Sequence, residues 1–272
     1  MHITATALSA RLSGRGERIV CLHSSTGSSA QWRDLQQRLA QRWEVLAPDL
    51  YGHGRSPAWP ARPATLHVDA AAVAALSGPR PLHLVGHSYG GAVALQIALR
   101  HPERVASLTL YEPVAFGLLR KLAPRDAALE EIEEVAGSVA SLVAAHCLHD
   151  AGRVFSGYWG GARAWGAMSE EQRQAVAMRM PAVPRHFEAC FRAAWSTRLL
   201  ARLRMPVLLM RGGATRASAR RVAELLAAAL PQAQCVELQG AGHLGPLTHR
   251  ETVNRWMLLH IDARLAAEPV AA

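Results

Sequence analysis

The sequence predicts an α/β domain in which a mainly parallel sheet carries helices on both faces and is interrupted by a block of helices. Short apolar runs alternate with amphipathic ones along most of the 272 residues. Strand–helix alternation of this kind builds a parallel sheet whose two faces are both covered. Between about residues 117 and 195 the alternation stops and only helical patterns continue.

Taken in chain order, the first dozen residues are expected to add an antiparallel hairpin turning at Gly14 to Gly16. Residues 18–23, 43–48, 81–86, 105–112, 205–210 and 233–238 read as strands. Residues 29–42, 66–76, 89–100, 215–230 and 246–265 read as helices. Within the interruption, Leu129, Ile132, Val135, Val139, Leu142 and Val143 form one apolar face, with Glu130, Glu131, Glu133 and Glu134 largely off it. Ser169-Glu-Glu-Gln172 has capping-box spacing, and Pro184 suits the first turn of a further helix. Residues 155–161, Phe-Ser-Gly-Tyr-Trp-Gly-Gly, read as an aromatic loop punctuated by glycine. The division implied is a core of residues 1–116 and 196–272 with a helical cap at 117–195. No internal repeat is present.

The formal charge of +9 would suit a nucleic-acid binder if the basic residues formed one stripe with stacking aromatics. Instead Lys121 is the only lysine and the arginines stand singly among alanines, as GC-rich bacterial coding bias produces. Nucleic acid is therefore not an expected partner, although the charge favours steering of anionic substrates. The longest apolar stretch, 135–148, is broken by Gly137, Ser138, Ser141 and His146, short of the ~18–20 residues that span a bilayer. No membrane association is expected. The N-terminal MHITATALSARL lacks a signal-peptide pattern, so the expected location is the cytoplasm. Cys21, Cys147, Cys190 and Cys235 form no CxxC pair and are spaced like small buried thiols of a reduced compartment. The 13 histidines include no HExxH pattern, and no metal or organic cofactor is expected. The oligomeric state is not set by any of these features.

The strongest chemical signal is Gly86-His87-Ser88-Tyr89-Gly90-Gly91, which follows an expected strand and opens an expected helix. In that context Gly-x-Ser-x-Gly is a sharp turn that thrusts the serine hydroxyl out of the sheet at the positive end of a helix. Ser88 is therefore the candidate nucleophile. Gly240-Ala-Gly-His243 follows the last expected strand, where a glycine-rich loop lets an imidazole swing over the sheet edge. His243 would take the serine proton as base and return it to the leaving group as acid. His87 should point away from Ser88, His249 should lie in the following helix, and His83 is inside a strand. His53, in Asp49-Leu-Tyr-Gly-His-Gly-Arg-Ser56, belongs to a turn in which Asp49 should satisfy loop amides.

The His23 loop, DLYGHGRS, GHSYGG and GAGH stand in the order found in capped α/β-hydrolases, and the chain resembles that superfamily over nearly its whole length. The resemblance is to the esterase, enol-lactonase and carbon–carbon-bond hydrolase branch, and it implies the α/β-hydrolase fold. Relatives that open epoxides or remove halides use aspartate at the nucleophile position, so Ser88 speaks against both chemistries. The oxyanion hole is implied to be the amides of Ser25 and Tyr89. Where the family has His-Gly, this chain has His23-Ser24-Ser25-Thr26-Gly27, and the Ser24 and Ser25 hydroxyls are either substrate contacts or solvated loop serines. The acid of the triad usually follows the strand at 205–210, but Arg211 to Arg220 contains no carboxylate and Glu224 lies along a helix. Glu112 ends the strand after the nucleophile helix, where some haloalkane dehalogenases carry their acid; the alternative is a surface or salt-bridged glutamate. Trp159, with Tyr158 and Trp165, either contacts substrate or packs the cap. The expectation is a Ser88–His243–Glu112 triad hydrolysing a small-molecule ester, thioester or lactone. A carbon–carbon hydrolase and a slow-turnover ligand receptor are the alternatives.

Overall fold

Strands form where apolar side chains alternate and both faces of the sheet can be covered. A computed structural model describes residues 2–3, 8–60 and 63–265, and its eight-stranded sheet has the order β1-β2-β4-β3-β5-β6-β7-β8. The strands are β1 (His2–Ile3), β2 (Ala10–Ser13), β3 (Arg18–Leu22), β4 (Glu44–Pro48), β5 (Leu82–His87), β6 (Val105–Tyr111), β7 (Val207–Gly212) and β8 (Ala233–Leu238). β3 to β8 are parallel, and β1 and β2 add an antiparallel edge. Among them run α1 (Arg33–Leu39), α2 (Leu66–Leu76) and α3 (Tyr89–Arg100). Between β6 and β7 lie α4 (Phe116–Leu122), α5 (Ala127–Ala144), α6 (Leu148–Gly160), α7 (Glu170–Ala177), α8 (Val183–Arg192) and α9 (Thr197–Leu200). Helices α10 (Ala217–Ala229), α11 (Gly245–Thr248) and α12 (Arg250–Leu265) follow.

The pleat sorts each strand between two cores. In β3, Ile19 and Cys21 face a core closed by Leu35 and Leu39 of α1 and by Val253, Met257 and Ile261 of α12. Val20 and Leu22 face the other core, with α2, α3, α10 and the inserted helices. In the central strand β5 every residue is buried, as parallel sheets covered on both sides require.

Five local expectations need correction. The segment Gly14–Gly16 does not turn a hairpin: β2 pairs with β4, and β4 separates it from β3. Gly14 (φ +77°) is needed for close approach, because a Cβ there would lie 2.0 Å from the Trp43 carbonyl oxygen. Residues 29–42 begin as a 3-10 turn, Ser29–Trp32, before α1. Residues 246–265 break at His249, which stands between α11 and α12 and not within a helix. Cys147 and Cys235 are exposed; only Cys21 and Cys190 are buried.

The fifth correction concerns residues 155–161, which lie mostly in helix α6 and not in a loop. Phe155, Tyr158 and Trp159 fall at i, i+3 and i+4 and are all buried, so one helical face carries all three inward. Burying an aromatic side chain stabilises by about 1.5–3 kcal/mol, whereas a helical glycine costs about 1 kcal/mol. Burial wins, and α6 stops only at Gly161, with φ +88°. Elsewhere the insertion follows its sequence signals: Ser169 and Gln172 form a reciprocal capping box on α7, and Pro184 sits in the first turn of α8.

Candidate active site

Ser88 stands between β5 and α3 with φ +56° and ψ −119°, a conformation that L residues rarely adopt. The turn closes because its neighbours lack side chains. A Cβ on Gly86 would lie 2.6 Å from the Gly90 carbonyl oxygen, and one on Gly90 would lie 2.4 Å from that of Leu22. Ser88 N–H donates to the Tyr111 carbonyl (3.0 Å), which pins the turn to β6. Tyr89 is the first residue of α3, so its amide has no intrahelical acceptor and lies where negative charge is favoured.

The structure brings Ser88, His243 and Glu112 together. His243 Nε2 is 2.9 Å from Ser88 Oγ, and His243 Nδ1 is 2.7 Å from Glu112 Oε2. All three side chains are buried. The end of β7 and the loop after it, which lacks an acid, supply donors to one instead: Gly212 N–H donates to Glu112 Oε1 and the Thr215 hydroxyl to Oε2, each at 2.7 Å. With the His243 ring these donors fix the carboxylate's orientation, and they leave His243 Nδ1 the protonated nitrogen and Nε2 the acceptor. Glu112 itself has φ +42°, and Thr26 in the loop after β3 has φ +59°. Backbone strain thus gathers around Ser88, as it does where a site over-determines its geometry.

His243 is held from both sides. The His87 ring points away from Ser88 and its Nε2–H donates to the His243 carbonyl (2.8 Å). Tyr111 O–H donates to the adjacent Gly242 carbonyl (2.8 Å), and a Cβ on Gly245 would strike that hydroxyl. The Trp159 indole stacks on the His243 ring, centroids 3.7 Å apart. Of the other two aromatics weighed with it, the Tyr158 hydroxyl hydrogen-bonds with Ser218 Oγ on α10, and Trp165 packs against His149 and Gly152 of α6.

The loop after β3 is braced from below. His23 accepts from Leu50 N–H and donates to the Ser24 carbonyl; His53 accepts from Thr26 N–H and donates to the Tyr51 carbonyl. Burial pushes these imidazoles down, to about 4 for His23 and about 3 for His53, so both brace the loop as neutral rings. Burial opposes ionisation of Asp49, but the Ser29 and Arg55 amides on its carboxylate win and hold it below the usual range.

The loop serines are buried and hydrogen-bonded to protein groups. Ser24 Oγ donates to Gln31 Oε1 (3.0 Å), and Ser25 Oγ hydrogen-bonds with His186 Nδ1 (2.8 Å) from α8. Neither the Ser25 nor the Tyr89 amide is hydrogen-bonded to a protein group among the described residues.

Two cavities meet at Ser88. A narrow one of about 10 Å³ lies between Tyr89, Val114, Phe116, Phe187 and His186. A wider cleft of about 250 Å³ is lined by His243, Ser24, Leu244, Met168 and Arg179. Ser25 and Trp159 border both.

Four contributors escaped sequence reasoning. Gln31 joins Ser24 to His87, and through His87 to the His243 backbone. His186 stacks on Tyr89 at 3.7 Å, and its Nε2 has no hydrogen-bond partner among the described residues. Asp69 accepts from Tyr89 O–H (2.7 Å) and Tyr51 N–H (3.1 Å), while burial raises its carboxyl to about 6. Arg179 follows α7 and reaches the cleft from there. None of these stands in a local motif; each acts across a contact between distant segments.

A family model described as the alpha/beta hydrolase fold matches residues 17–250. Lipase LipV of Mycobacterium tuberculosis is 42% identical over 99 residues, 35% of this chain and 37% of that protein. The match thus spans little more than a third of that relative's length. The pimeloyl-[acyl-carrier protein] methyl ester esterase of Neisseria meningitidis is 30% identical over 245 residues, covering 86% of this chain and 90% of that protein. The crystal structure of a hydrolase from Pseudomonas aeruginosa has the same fold, with a TM-score of 0.76 at 24% identity over 98% of each chain.

Proposed function

The chain belongs to the alpha/beta hydrolase fold family, and on that premise we propose that it is a serine hydrolase cleaving a small-molecule ester, thioester or lactone through an acyl-enzyme on Ser88. Ser88 Oγ attacks the acyl carbon while its proton passes to His243 Nε2. Glu112 holds the imidazole in the accepting tautomer and stabilises the imidazolium that forms. The carbonyl oxygen becomes an oxyanion facing the Ser25 and Tyr89 amides, which no acceptor among the described residues occupies. The acyl–oxygen or acyl–sulfur bond then breaks and His243 returns the proton to the leaving group. Water, deprotonated by His243, releases the acid and restores Ser88. In this reading residues 117–195 are a lid over a freely diffusing substrate in the cytoplasm.

The observation that carries the proposal is the unbroken relay of 2.9 Å and 2.7 Å from Ser88 through His243 to a buried carboxylate. Two relatives named for ester cleavage, a lipase and a methyl ester esterase, support the same bond type. A fluorophosphonate probe should label the chain once, at Ser88, and Ser88→Ala should lower kcat on a p-nitrophenyl ester by roughly 10⁴–10⁶. Labelling that survives the alanine change would sink the assignment.

A further inference from the structure

The two cavities at Ser88 differ in size by more than an order of magnitude, and only the wider one is lined by His243. That asymmetry orients the substrate. In the mechanism proposed above, His243 must hand its proton to the departing atom, so the leaving group lies in the compartment that His243 borders. The acyl group then occupies the narrow cavity beside Tyr89. Its volume of about 10 Å³ is near the ~10–15 Å³ that admits one water, or a group the size of a methyl. Its walls are largely apolar and buried, Val114, Phe116 and Phe187 among them.

The wide cleft has a charge signature. Arg179 lines it and is half-buried; its Nη1 donates to the Thr26 carbonyl (2.9 Å). No carboxylate forms an ion pair with it among the described residues. The acid whose field reaches it, Asp49, has one carboxylate oxygen taken by the Ser29 amide and the other by the Arg55 amide. The residues lining the cleft include no Asp or Glu; apart from the Gln31 amide and the His243 imidazole, the remaining lining is hydroxyl or apolar. A guanidinium on a cleft wall without a paired carboxylate is a ready partner for a carboxylate or phosphate, which it can meet with two parallel hydrogen bonds.

We infer that the site takes short-acyl esters or thioesters whose leaving alcohol or thiol carries a negatively charged group, with Arg179 binding that group. The inference rests on the serine-hydrolase reading and follows its chemistry. The Ser88 Oγ–acyl bond forms, the acyl–leaving-group bond breaks, and the proton from Ser88 reaches the leaving atom through His243. Water then yields the short acid. The anion is not altered; it positions the substrate. Carboxylate and phosphate share this chemistry.

The test uses acetyl esters with similar phenolic leaving groups: 4-acetoxybenzoate, 4-acetoxyphenyl phosphate and the neutral 4-acetoxybenzamide. Hexanoyl ester of 4-hydroxybenzoate is added to probe the narrow cavity. Arg179→Gln should lower the ratio of kcat/KM for the anionic over the neutral ester roughly 10- to 100-fold, mainly through KM. Arg179→Lys, which keeps the charge but not the fork, should recover part of that ratio. A larger fall for the phosphate ester identifies phosphate as the natural group, and a larger fall for the benzoate identifies carboxylate. If Arg179→Gln does not fold, the lysine variant and the loss of wild-type anion preference at high salt read the same interaction.

An unchanged ratio in Arg179→Gln overturns the inference, and so does a wild type that prefers hexanoyl over acetyl. In either case, ester turnover abolished by Ser88→Ala leaves the serine-hydrolase reading standing. If no ester is turned over and Ser88 is not labelled, that reading fails instead. The anion site is then judged by calorimetry of phenyl phosphate and 4-hydroxybenzoate on full-length Ser88→Ala. Binding weakened by Arg179→Gln supports the site, and absence of binding overturns it.

Discussion

Replacing Glu112 by glutamine keeps the side chain's shape and removes its charge, and the surrounding donors turn that small change into a large one. The carboxylate accepts from Gly212 N–H on one oxygen, and from Thr215 O–H and His243 Nδ1–H on the other. An amide has only one accepting end. If its oxygen stays with Gly212, its NH₂ faces His243 Nδ1, and the imidazole must move its proton to Nε2. That tautomer donates toward Ser88 and does not accept its proton. If the amide turns over, its NH₂ confronts the Gly212 N–H inside a buried site, leaving donors unmatched at about 1–3 kcal/mol. The first outcome is the milder for stability and the worse for catalysis. We therefore expect Glu112→Gln to lose roughly 10³–10⁴ in kcat, or about 4–5.5 kcal/mol of transition-state stabilisation, while remaining folded. The assay is steady-state hydrolysis of p-nitrophenyl acetate, with Tm measured alongside. A folded variant within tenfold of wild type would refute the tautomer argument and make Glu112 a structural residue.

Two further outcomes follow from the geometry. Burial raises the Asp69 carboxyl from 3.8 to about 6. Between those values the folded chain keeps a proton that the unfolded chain releases, so this group's stabilisation is full below about pH 4 and is lost as pH rises through about 6. The difference is about 3 kcal/mol. Asp69→Asn should remove it, so urea unfolding should show wild type gaining on the variant as pH falls from 7 to 4.5; a pH-independent difference would exclude the linkage. His23 and His53, pushed down by burial, destabilise on acidification in both proteins and cancel in the comparison. Trp159 borders both cavities, so Trp159→Ala should raise the hexanoyl-to-acetyl ratio of kcat/KM roughly tenfold. Equal losses on both esters, tracking a lower Tm, would mark Trp159 as packing alone.

The signals that the chain carries locally are those that depend on neighbours in sequence. Short apolar runs located the strands β3 to β8, and the central ones are near-continuous because a parallel strand covered on both sides must be apolar on both faces. The Gly-x-Ser-x-Gly turn marked out Ser88, because the turn closes on itself where a Cβ on Gly86 would strike the Gly90 carbonyl. Glu112 could be singled out as a candidate, since Arg211 to Arg220 holds no carboxylate and Glu112 ends a neighbouring strand; the structure sets its carboxylate 2.7 Å from His243 Nδ1. Where two local rules competed, reading by sequence failed: glycines argued for a loop at 155–161, and the i, i+3, i+4 aromatics that made a helix count only when there is a core to bury them.

Tertiary structure alone decided which surfaces meet. Gln31, which holds Ser24, reaches His87 across 56 residues, His186 reaches Ser25 across 161, and the Thr26 carbonyl receives Arg179 across 153. No periodicity or propensity encodes such pairs, because their energy exists only after the sheet has closed and the inserted helices have packed over its C-terminal edge. The sequence could thus single out Ser88 and His243, each set by its own turn. The shape of the two cavities, and the cation on the wall of one of them, arise only from the docking of helices onto that edge.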